Sequence, residues 1–278
     1  MLFLLLLPAL YAFQNVAARA VQRVRLNLYA VGGFTYLFAA LIYAAFLALH
    51  PVPLPPLIFY AGLILGTLYV ITYLLFVPTL ADRGVSIMAA LCQLSALVPM
   101  AGAIFIWHEQ PSPLRWAGAI LCLIAMPLLT LDRGITDTHV TWRKALLFAG
   151  LVIFNGGVLL GFKWFEQLDQ PEQLNGLLVT VFATATVLMA VLWPFHHGTA
   201  TRPVVAWGLA CGLCYAGAAM VVVQALRRYG GVVVFPFAEA TALAMTVAYA
   251  ALFWRELPGK AGFVGVAVVT VAAVLINL

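Results

Sequence analysis

Charged residues are scarce in this chain. Only 8% of its 278 residues are Asp, Glu, Lys or Arg, whereas 65% are hydrophobic. A soluble domain needs about a quarter of its residues charged to cover its surface, so a water-soluble globular protein is excluded. The composition is that of an integral membrane protein.

The sequence also lacks the motifs of several enzyme and binding classes. There is no Gly-rich phosphate loop, no nucleophile elbow and no basic run interleaved with aromatic residues, so nucleotide hydrolysis and nucleic-acid binding have no support. No His falls deep within an apolar stretch to serve as a catalytic base. No acidic cluster is present to hold Mg²⁺ for lipid-diphosphate transfer. An intramembrane lipid-modifying enzyme and a non-transporting membrane scaffold remain the alternative classes.

Cysteine is rare as well. The four residues all lie within apolar stretches, where thiols behave as small hydrophobic groups: Cys92, Cys122, Cys211 and Cys214. The Cys-x-x-Cys spacing of the last two has no His or acidic neighbours, which favours helix packing over metal binding. We expect no disulfide, no metal and no cofactor.

Ten apolar stretches make up most of the chain, each long enough to cross a bilayer core about 30 Å thick. The first is interpreted as a membrane helix and not as a cleaved signal peptide, because no basic region precedes "LFLLLL" and Gln14-Asn15 interrupts it. The predicted helices are 2–22, 27–48, 56–78, 84–107, 112–131, 144–165, 174–194, 204–226, 231–253 and 260–277.

A short phrase, Trp-x-Glu-x-Pro, occurs twice at a spacing of 147 residues, in "IWHEQPSP" and "FWRELPGK". At that spacing Gly84 also matches Gly231, and at 146 residues "GTLY" matches "GLCY". These matches predict an internal repeat of five helices, whose second copy enters the membrane from the opposite face because five is odd. The predicted fold is an all-α integral membrane protein with ten transmembrane helices, as two inverted repeats around a central cavity. The units are residues 1–131, a connecting loop at 132–143, and residues 144–278.

The repeated phrase itself is interpreted as a membrane exit. Trp prefers the headgroup level, Glu there reaches water, and Pro begins the next helix without losing a backbone donor. The residues concerned, Trp107, Glu109, Trp254 and Glu256, are therefore predicted to be boundary anchors in preference to substrate ligands.

This pattern carries a family resemblance. Ten helices in two halves, each ending in Trp-x-Glu-x-Pro with a Gly nine residues after the Glu, resemble the EamA-like branch of the drug/metabolite transporter superfamily. The resemblance implies a cavity formed mainly by the first, third and fourth helices of each half. It also implies alternating-access transport of metabolites, amino acids or drug-like molecules in the plasma (inner) membrane. A duplicated ten-helix chain can enclose a cavity alone, so we expect a monomer.

The orientation in the membrane is open. With side A defined as the face where the first helix begins, four basic residues fall on side A and ten on side B. The positive-inside rule makes side B cytoplasmic, whereas the resemblance implies cytoplasmic termini on side A. The net charge of +5 also fits loops that contact anionic lipid headgroups. Side A carries Arg115, Lys163, Arg227 and Arg228, and side B carries Arg19, Arg23, Arg25, Arg83, Arg133, Arg143, Lys144, Arg202, Arg255 and Lys260.

One acidic residue is predicted to lie near the membrane midplane. Glu239 is eight residues into the ninth predicted helix, at a depth of about 12 Å for a rise of about 1.5 Å per residue. A charge at that depth costs roughly 3 kcal/mol and is usually retained for function. Pro236, one turn earlier, is predicted to kink the helix as a hinge and to free a backbone carbonyl.

The repeat places Cys92 and its neighbour Gln93 opposite Glu239, so Gln93 and Glu239 are predicted to share the cavity. Burial favours the protonated carboxyl, which would allow Glu239 to exchange a proton for a cationic substrate. The alternative is a protonated Glu that hydrogen-bonds a neighbouring helix in a structural role.

Further polar residues are candidates for substrate contact. Gln14 and Asn15 of the first helix and Asn155 of the sixth either line the cavity or tie helices together. Tyr69, Tyr73 and Tyr215 either contact a substrate through their ring faces or pack between helices. The motifs Gly157-x-x-x-Gly161 and Gly208-x-x-x-Gly212 predict close helix crossings only.

Overall fold

The computed structural model describes residues 2–131, 142–196, 199–254 and 260–277. Over these ranges the chain forms ten α-helices and two short 3-10 helices, with no β-strand. The helices are α1 (Leu2–Arg23), α2 (Leu28–Leu49), α3 (Pro56–Leu94), α4 (Leu97–Phe105), α5 (Pro113–Leu131), α6 (Trp142–Gln167), α7 (Leu174–Leu192), α8 (Arg202–Tyr229), α9 (Gly231–Trp254) and α10 (Lys260–Asn277). The 3-10 helices are Pro171–Gln173 and Trp193–His196.

Local chemistry accounts for several helix ends. Asn27 begins α2 by accepting a hydrogen bond from the backbone N–H of Ala30 at 3.1 Å. Pro56 and Pro113 stand at the first positions of α3 and α5, where a missing N–H costs no helical bond. Gly230 ends α8 at a φ of +78°, a conformation that glycine adopts without strain.

In the described part of the chain, six helical segments are long and apolar enough to cross a membrane: Leu28–Leu49, Pro56–Leu80, Trp142–Gln167, Pro171–Phe195, Arg202–Tyr229 and Gly231–Phe253. Shorter apolar segments, Pro113–Met126 and Lys260–Ile276, lie in α5 and α10. This agrees with the predicted all-helical, multi-pass membrane architecture. The count of ten crossings and the inverted repeat stay predictions.

The boundary between α3 and α4 differs from the prediction. The sequence predicted helices at 56–78 and 84–107, whereas α3 continues to Leu94 and α4 covers only Leu97–Phe105. The helix breaks at Ser95 because Pro99 lacks an N–H and its ring clashes with the carbonyl four residues earlier. At the break, the Ser95 hydroxyl donates a hydrogen bond to the Cys92 carbonyl, near the end of α3.

The helices meet at two ends of the bundle, which correspond to the sides named above. At end B, α1 and α7 end and α2 and α8 begin, and Val21, Val31 and Val204 pack together there. At end A, α6 and α8 end and α9 begins, and Glu109 contacts both Lys163 and Gly231.

Two pairs of glycines bring the halves of the chain into close contact. Gly208 and Gly212 of α8 lie directly against α2, as their spacing predicts. Gly62 and Gly66 of α3, which precede them by 146 residues, lie directly against α7. Equivalent glycines therefore pack on the second helix of the opposite half.

The crossing of α8 and α2 leads to a stability prediction for Gly212→Ala. A Cβ at this position would lie 2.9 Å from the Thr35 carbonyl oxygen, a backbone atom that is held in α2. We expect a loss of roughly 1–3 kcal/mol in the free energy of unfolding. The control is Gly157→Ala, in the motif that packs α6 on α3, where a Cβ would meet only the Leu68 side chain, at 3.6 Å. Thermal unfolding in detergent measures both, and equal melting temperatures would contradict the close crossing.

Candidate functional site

A cavity of about 150 Å³ lies between the two halves of the chain. Its walls come from α1, α2 and α3 of the first half and from α6, α8 and α9 of the second. Seven of the residues singled out in the sequence line it: Gln14, Asn15, Tyr69, Tyr73, Asn155, Tyr215 and Glu239. The structure therefore brings together residues that are as much as 225 positions apart, from Gln14 to Glu239. Their role in binding stays a prediction.

Two further predicted residues have a different status. The side chain of Gln93 lies outside the described part of the structure, although its neighbour Cys92 lines the cavity. Pro236 is buried in α9 one turn before Glu239, and the helix continues through it. The hinge role of Pro236 stays a prediction. The wall assigned to the fourth predicted helix is formed instead by the last part of α3, because α3 extends beyond Cys92.

Glu239 is the single charged residue among the described residues that line the cavity. It reaches the cavity from α9 and is half-buried. No Lys, Arg or His shares the cavity wall, and no ion pair joins Glu239 to any residue in the described ranges. When ionised, this carboxylate gives the cavity a negative charge that no cation among the described wall residues neutralises.

Tyrosines form much of the remaining wall. Five of the ten in the chain line the cavity: Tyr11, Tyr36, Tyr69, Tyr73 and Tyr215. Tyr36 lies at their centre, with ring centroids 5.9–6.1 Å from those of Tyr69, Tyr73 and Tyr215 in edge-to-face arrangements. The centroids of Tyr69 and Tyr215, the pair related by the repeat, are 6.3 Å apart. These contacts fix the orientation of the rings.

The hydroxyl groups of these tyrosines differ in their partners. The Tyr73 hydroxyl donates to the Leu28 carbonyl at 2.7 Å, and the Tyr36 hydroxyl donates to the Tyr69 carbonyl at 3.3 Å. These two hydroxyls tie α3 to α2, which is the packing role considered for Tyr73. Neither Tyr69 nor Tyr215 donates its hydroxyl to a residue that the structure describes, so both hydroxyls remain available to a ligand.

Asn155 combines the two roles considered for it. Its side-chain amide donates to the Ser95 hydroxyl at 2.5 Å and to the Cys92 carbonyl at 3.4 Å. It therefore ties α6 to the break that ends α3, while also lining the cavity. The amide supplies a polar donor where Pro99 interrupts the helical hydrogen bonds.

Sequence reasoning did not single out most of the wall, including its polar residues Tyr11, Thr35, Tyr36 and Thr72. Tyr11 carried a usable signal, because it precedes Gln14 and Asn15 by one helical turn and so shares their face. Thr35 and Tyr36 carried none, since α2 has no charged or amide side chain that marks the side facing the cavity.

Glu109 departs from its interpretation as an anchor that reaches water. Its Oε1 lies 2.5 Å from Lys163 Nζ, and its side chain is only 18% exposed. Its two oxygens also accept hydrogen bonds from the backbone N–H groups of Gly231 and Val232, at 3.0 and 3.1 Å. Burial acts to raise the pKa of this carboxyl, but these donors outweigh it, so the pKa lies below its usual value. The equivalent Glu256 lies outside the described residues.

Lys163 also changes the count of basic residues. It is 1% exposed, so it faces the protein interior and not a loop. The basic residues on side A thus fall from four to three, because Arg115, Arg227 and Arg228 remain. The bias toward side B becomes larger, and the disagreement with the orientation implied by the resemblance persists.

The fold and the cavity define a class, that of multi-pass α-helical membrane proteins that hold a polar site between two halves. Residues 1–131 match the EamA-like transporter family. Over these residues the match confirms the resemblance and is consistent with the drug/metabolite transporter superfamily, and it favours transport over catalysis.

The chain also matches proteins of known structure. One solved crystal structure, 14% identical in sequence, covers 99% of this chain and 94% of its own chain with a TM-score of 0.75. It is one of 26 chains of known structure that match, and at this level of identity it supports the fold alone. No curated protein matches the chain.

Proposed function

We propose that this protein is a secondary active transporter that exports a small metabolite or amphipathic cation by alternating access, in exchange for protons. The observation that carries the proposal is the lone carboxylate of Glu239 in a tyrosine-lined cavity. A negative charge without a protein cation attracts a positively charged ligand, and aromatic faces add cation-π attraction.

The size of the cavity narrows the cargo to compact molecules. Drug-sized ligands occupy sites of roughly 300–1,000 Å³, whereas this cavity has a volume of about 150 Å³. We therefore favour an organic cation of about the size of one aromatic ring over a large drug-like compound. A neutral amino acid would need partners for both its charged groups, and the wall residues that the structure describes offer one charged side chain.

The proposed coupling follows from the chemistry of a single carboxylate. Glu239 cannot hold a proton and pair with a cation at the same time, because protonation removes the charge that attracts the cation. Release of the cargo then accompanies proton binding. Such competition converts a proton gradient into movement of the cation in the opposite direction.

Alternating access is supported by the way in which the halves pair. α2 packs against α8 as α7 packs against α3, and α1 packs against α8 and α9 as α6 packs against α3 and α4. Interchanging the two halves turns each pairing into its counterpart: α2 with α8 becomes α7 with α3, and α1 with α8 and α9 becomes α6 with α3 and α4. An inverted repeat requires this symmetry. Rocking of one half against the other would move the opening from one end to the other. We expect the protein to act as a monomer in the plasma membrane, and a dimer in native mass spectrometry would contradict that expectation.

Substitution of Tyr215 tests the aromatic part of the site. Tyr215→Leu removes the ring face, and we expect the affinity for a quaternary ammonium ligand to fall by about 2- to 30-fold, which corresponds to roughly 0.5–2 kcal/mol of cation-π energy. Tyr215→Phe keeps the ring and should retain most of the affinity. The control is Tyr43→Leu, since Tyr43 lies outside the cavity wall and its hydroxyl donates to the Ala216 carbonyl. Calorimetric titration measures binding. Equal affinities for Tyr215→Leu and the wild type would refute the role of the ring.

A further inference from the structure

A buried ionic cluster lies at end A, apart from the cavity. Lys163 of α6 places its Nζ 2.5 Å from an oxygen of Glu109 and 2.5 Å from an oxygen of Glu166. The Lys163 side chain is 1% exposed, and its Nζ lies 5.9 Å from the centre of the Trp107 ring. A charge buried to this extent requires close partners, and removal of one partner leaves the others without compensation.

The same cluster holds the beginning of α9. Glu109 accepts hydrogen bonds from the N–H groups of Gly231 and Val232, the first two residues of that helix. A carboxylate in this position also interacts favourably with the positive end of the helix dipole. Glu109 therefore connects the loop after α4 to two helices that line the cavity, α6 through Lys163 and α9 through its N-terminus.

The cavity extends away from this cluster. Its lining residues Ala18, Val21, Leu28 and Phe76 lie toward end B, where α1 ends and α2 begins. Toward end A the lining on α8 stops at Val222, about two helical turns before the helix ends at Tyr229. The lining thus reaches farther toward end B on α1 and α2 than it does toward end A on α8, and the ionic cluster lies at end A.

The repeat does not duplicate the lysine. Aligning Phe13-Gln14 with Phe154-Asn155, at a spacing of 141 residues, places Gln22 at the position of Lys163. Gln22 donates its side-chain amide to the Leu80 carbonyl at 3.3 Å, a bond between neutral groups. An amide cannot form an ion pair, and hydrogen bonds between neutral groups are weaker than charge-assisted ones.

We infer that Glu109 and Lys163 form a latch that holds end A closed. This inference rests on the proposed alternating access. Opening of end A requires α6 and the N-terminus of α9 to separate, and Glu109 binds both. The first half has no lysine, so no lysine repeats this contact at end B.

The test is the accessibility of single cysteines to a membrane-impermeant maleimide, applied to one face of reconstituted vesicles and then to the other. The background replaces the four native free cysteines with alanine. Val222→Cys reports on end A, because Val222 is the lining residue of α8 nearest that end, and Ala18→Cys reports on end B. In the otherwise native chain we expect Ala18→Cys to react rapidly from its face and Val222→Cys to react slowly.

Adding Lys163→Gln should speed the reaction of Val222→Cys from face A by at least about tenfold. This factor is well below the change in an equilibrium constant that removal of one partner from a buried ion pair can produce. The reaction of Ala18→Cys from face B should slow, because the population shifts away from the state open at B. Lys163→Arg, which retains the charge, should restore the native pattern.

Two outcomes would overturn the latch. Unchanged labelling in Lys163→Gln would mean that the cluster does not control access, and faster labelling at both positions would mean general loosening of the bundle. The assay needs no cargo and no proton gradient. Failure of the proposed transport would therefore leave the labelling result interpretable, and failure of the latch would leave the role of Glu239 open to its own test.

Discussion

Glu239→Gln is expected to abolish pH-driven transport. Glutamine has nearly the shape of protonated glutamate, so the helix packing around it should be preserved. It cannot ionise, and it therefore loses both the attraction for a cation and the ability to carry a proton. We expect a solid-supported membrane to record pH-dependent currents for compact organic cations with the wild type. The variant should give the signal of protein-free liposomes.

The matched control is Glu172→Gln, which removes an exposed carboxylate in the short helix Pro171–Gln173 at end A. It should leave the currents unchanged at both pH values. Elution and melting of Glu239→Gln in detergent, compared with the wild type, establish that the variant is folded. Undiminished pH-driven current in folded Glu239→Gln would contradict the proton-exchange proposal and would assign Glu239 a structural role. If neutral amino acids give currents that persist in Glu239→Gln, the protein is a transporter whose cargo is not a cation.

Lys163→Met is expected to cause the largest loss of stability among single substitutions at end A, roughly 3–5 kcal/mol in the free energy of unfolding. Methionine fills much of the space of the lysine stem but leaves Glu109 and Glu166 close together without a cation. The control is Arg227→Met at the same end. Arg227 pairs with Asp169 at 3.3 Å, and because the Asp169 side chain is 93% exposed, loss of this pair should cost at most about 1 kcal/mol. Denaturant unfolding in mixed micelles measures both, and equal losses would contradict the distinction between the two ion pairs.

The ion pair also has a signature in pH. The pKa of Glu109 is lower in the folded protein than its usual value, so its ionised form contributes stability at all pH values above the unfolded pKa. That contribution is lost only as the pH falls through the folded pKa. The melting temperature of the wild type should therefore be insensitive to Glu109 near neutrality and should fall in acid. In Glu109→Gln, part of this acid dependence should be missing.

Much of the architecture could be predicted because the bilayer imposes a simple rule on sequence. Apolar stretches of about 20 residues predicted helices whose ends agree with the structure to within about three residues, apart from those of α3 and α4. Glu239 could be recognised without coordinates because a carboxylate at depth is costly wherever its helix packs. The glycine spacings predicted close crossings because small residues allow helices to approach.

The errors arose where a local rule competed with a contact from elsewhere. The break in α3 was placed before Gly84, whereas Pro99 and the amide of Asn155 move it to Ser95. Glu109 was assigned to water because its loop is polar. Its actual partners are Lys163, 54 residues away, and the N-terminus of α9, 122 residues away. No local pattern encodes distances of that kind.

By itself, the sequence determined the solvent of this protein, the places where helices form, and the one charge that must be explained inside the membrane. Each of these depends on the transfer energy of a residue from water to lipid, which is a property of the residue and its depth. Only the tertiary structure decided which side chains share a cavity and which charges pair. Those outcomes depend on helix rotation and on contacts between distant segments, through which Tyr36 came to lie among three other tyrosines and Lys163 between two carboxylates.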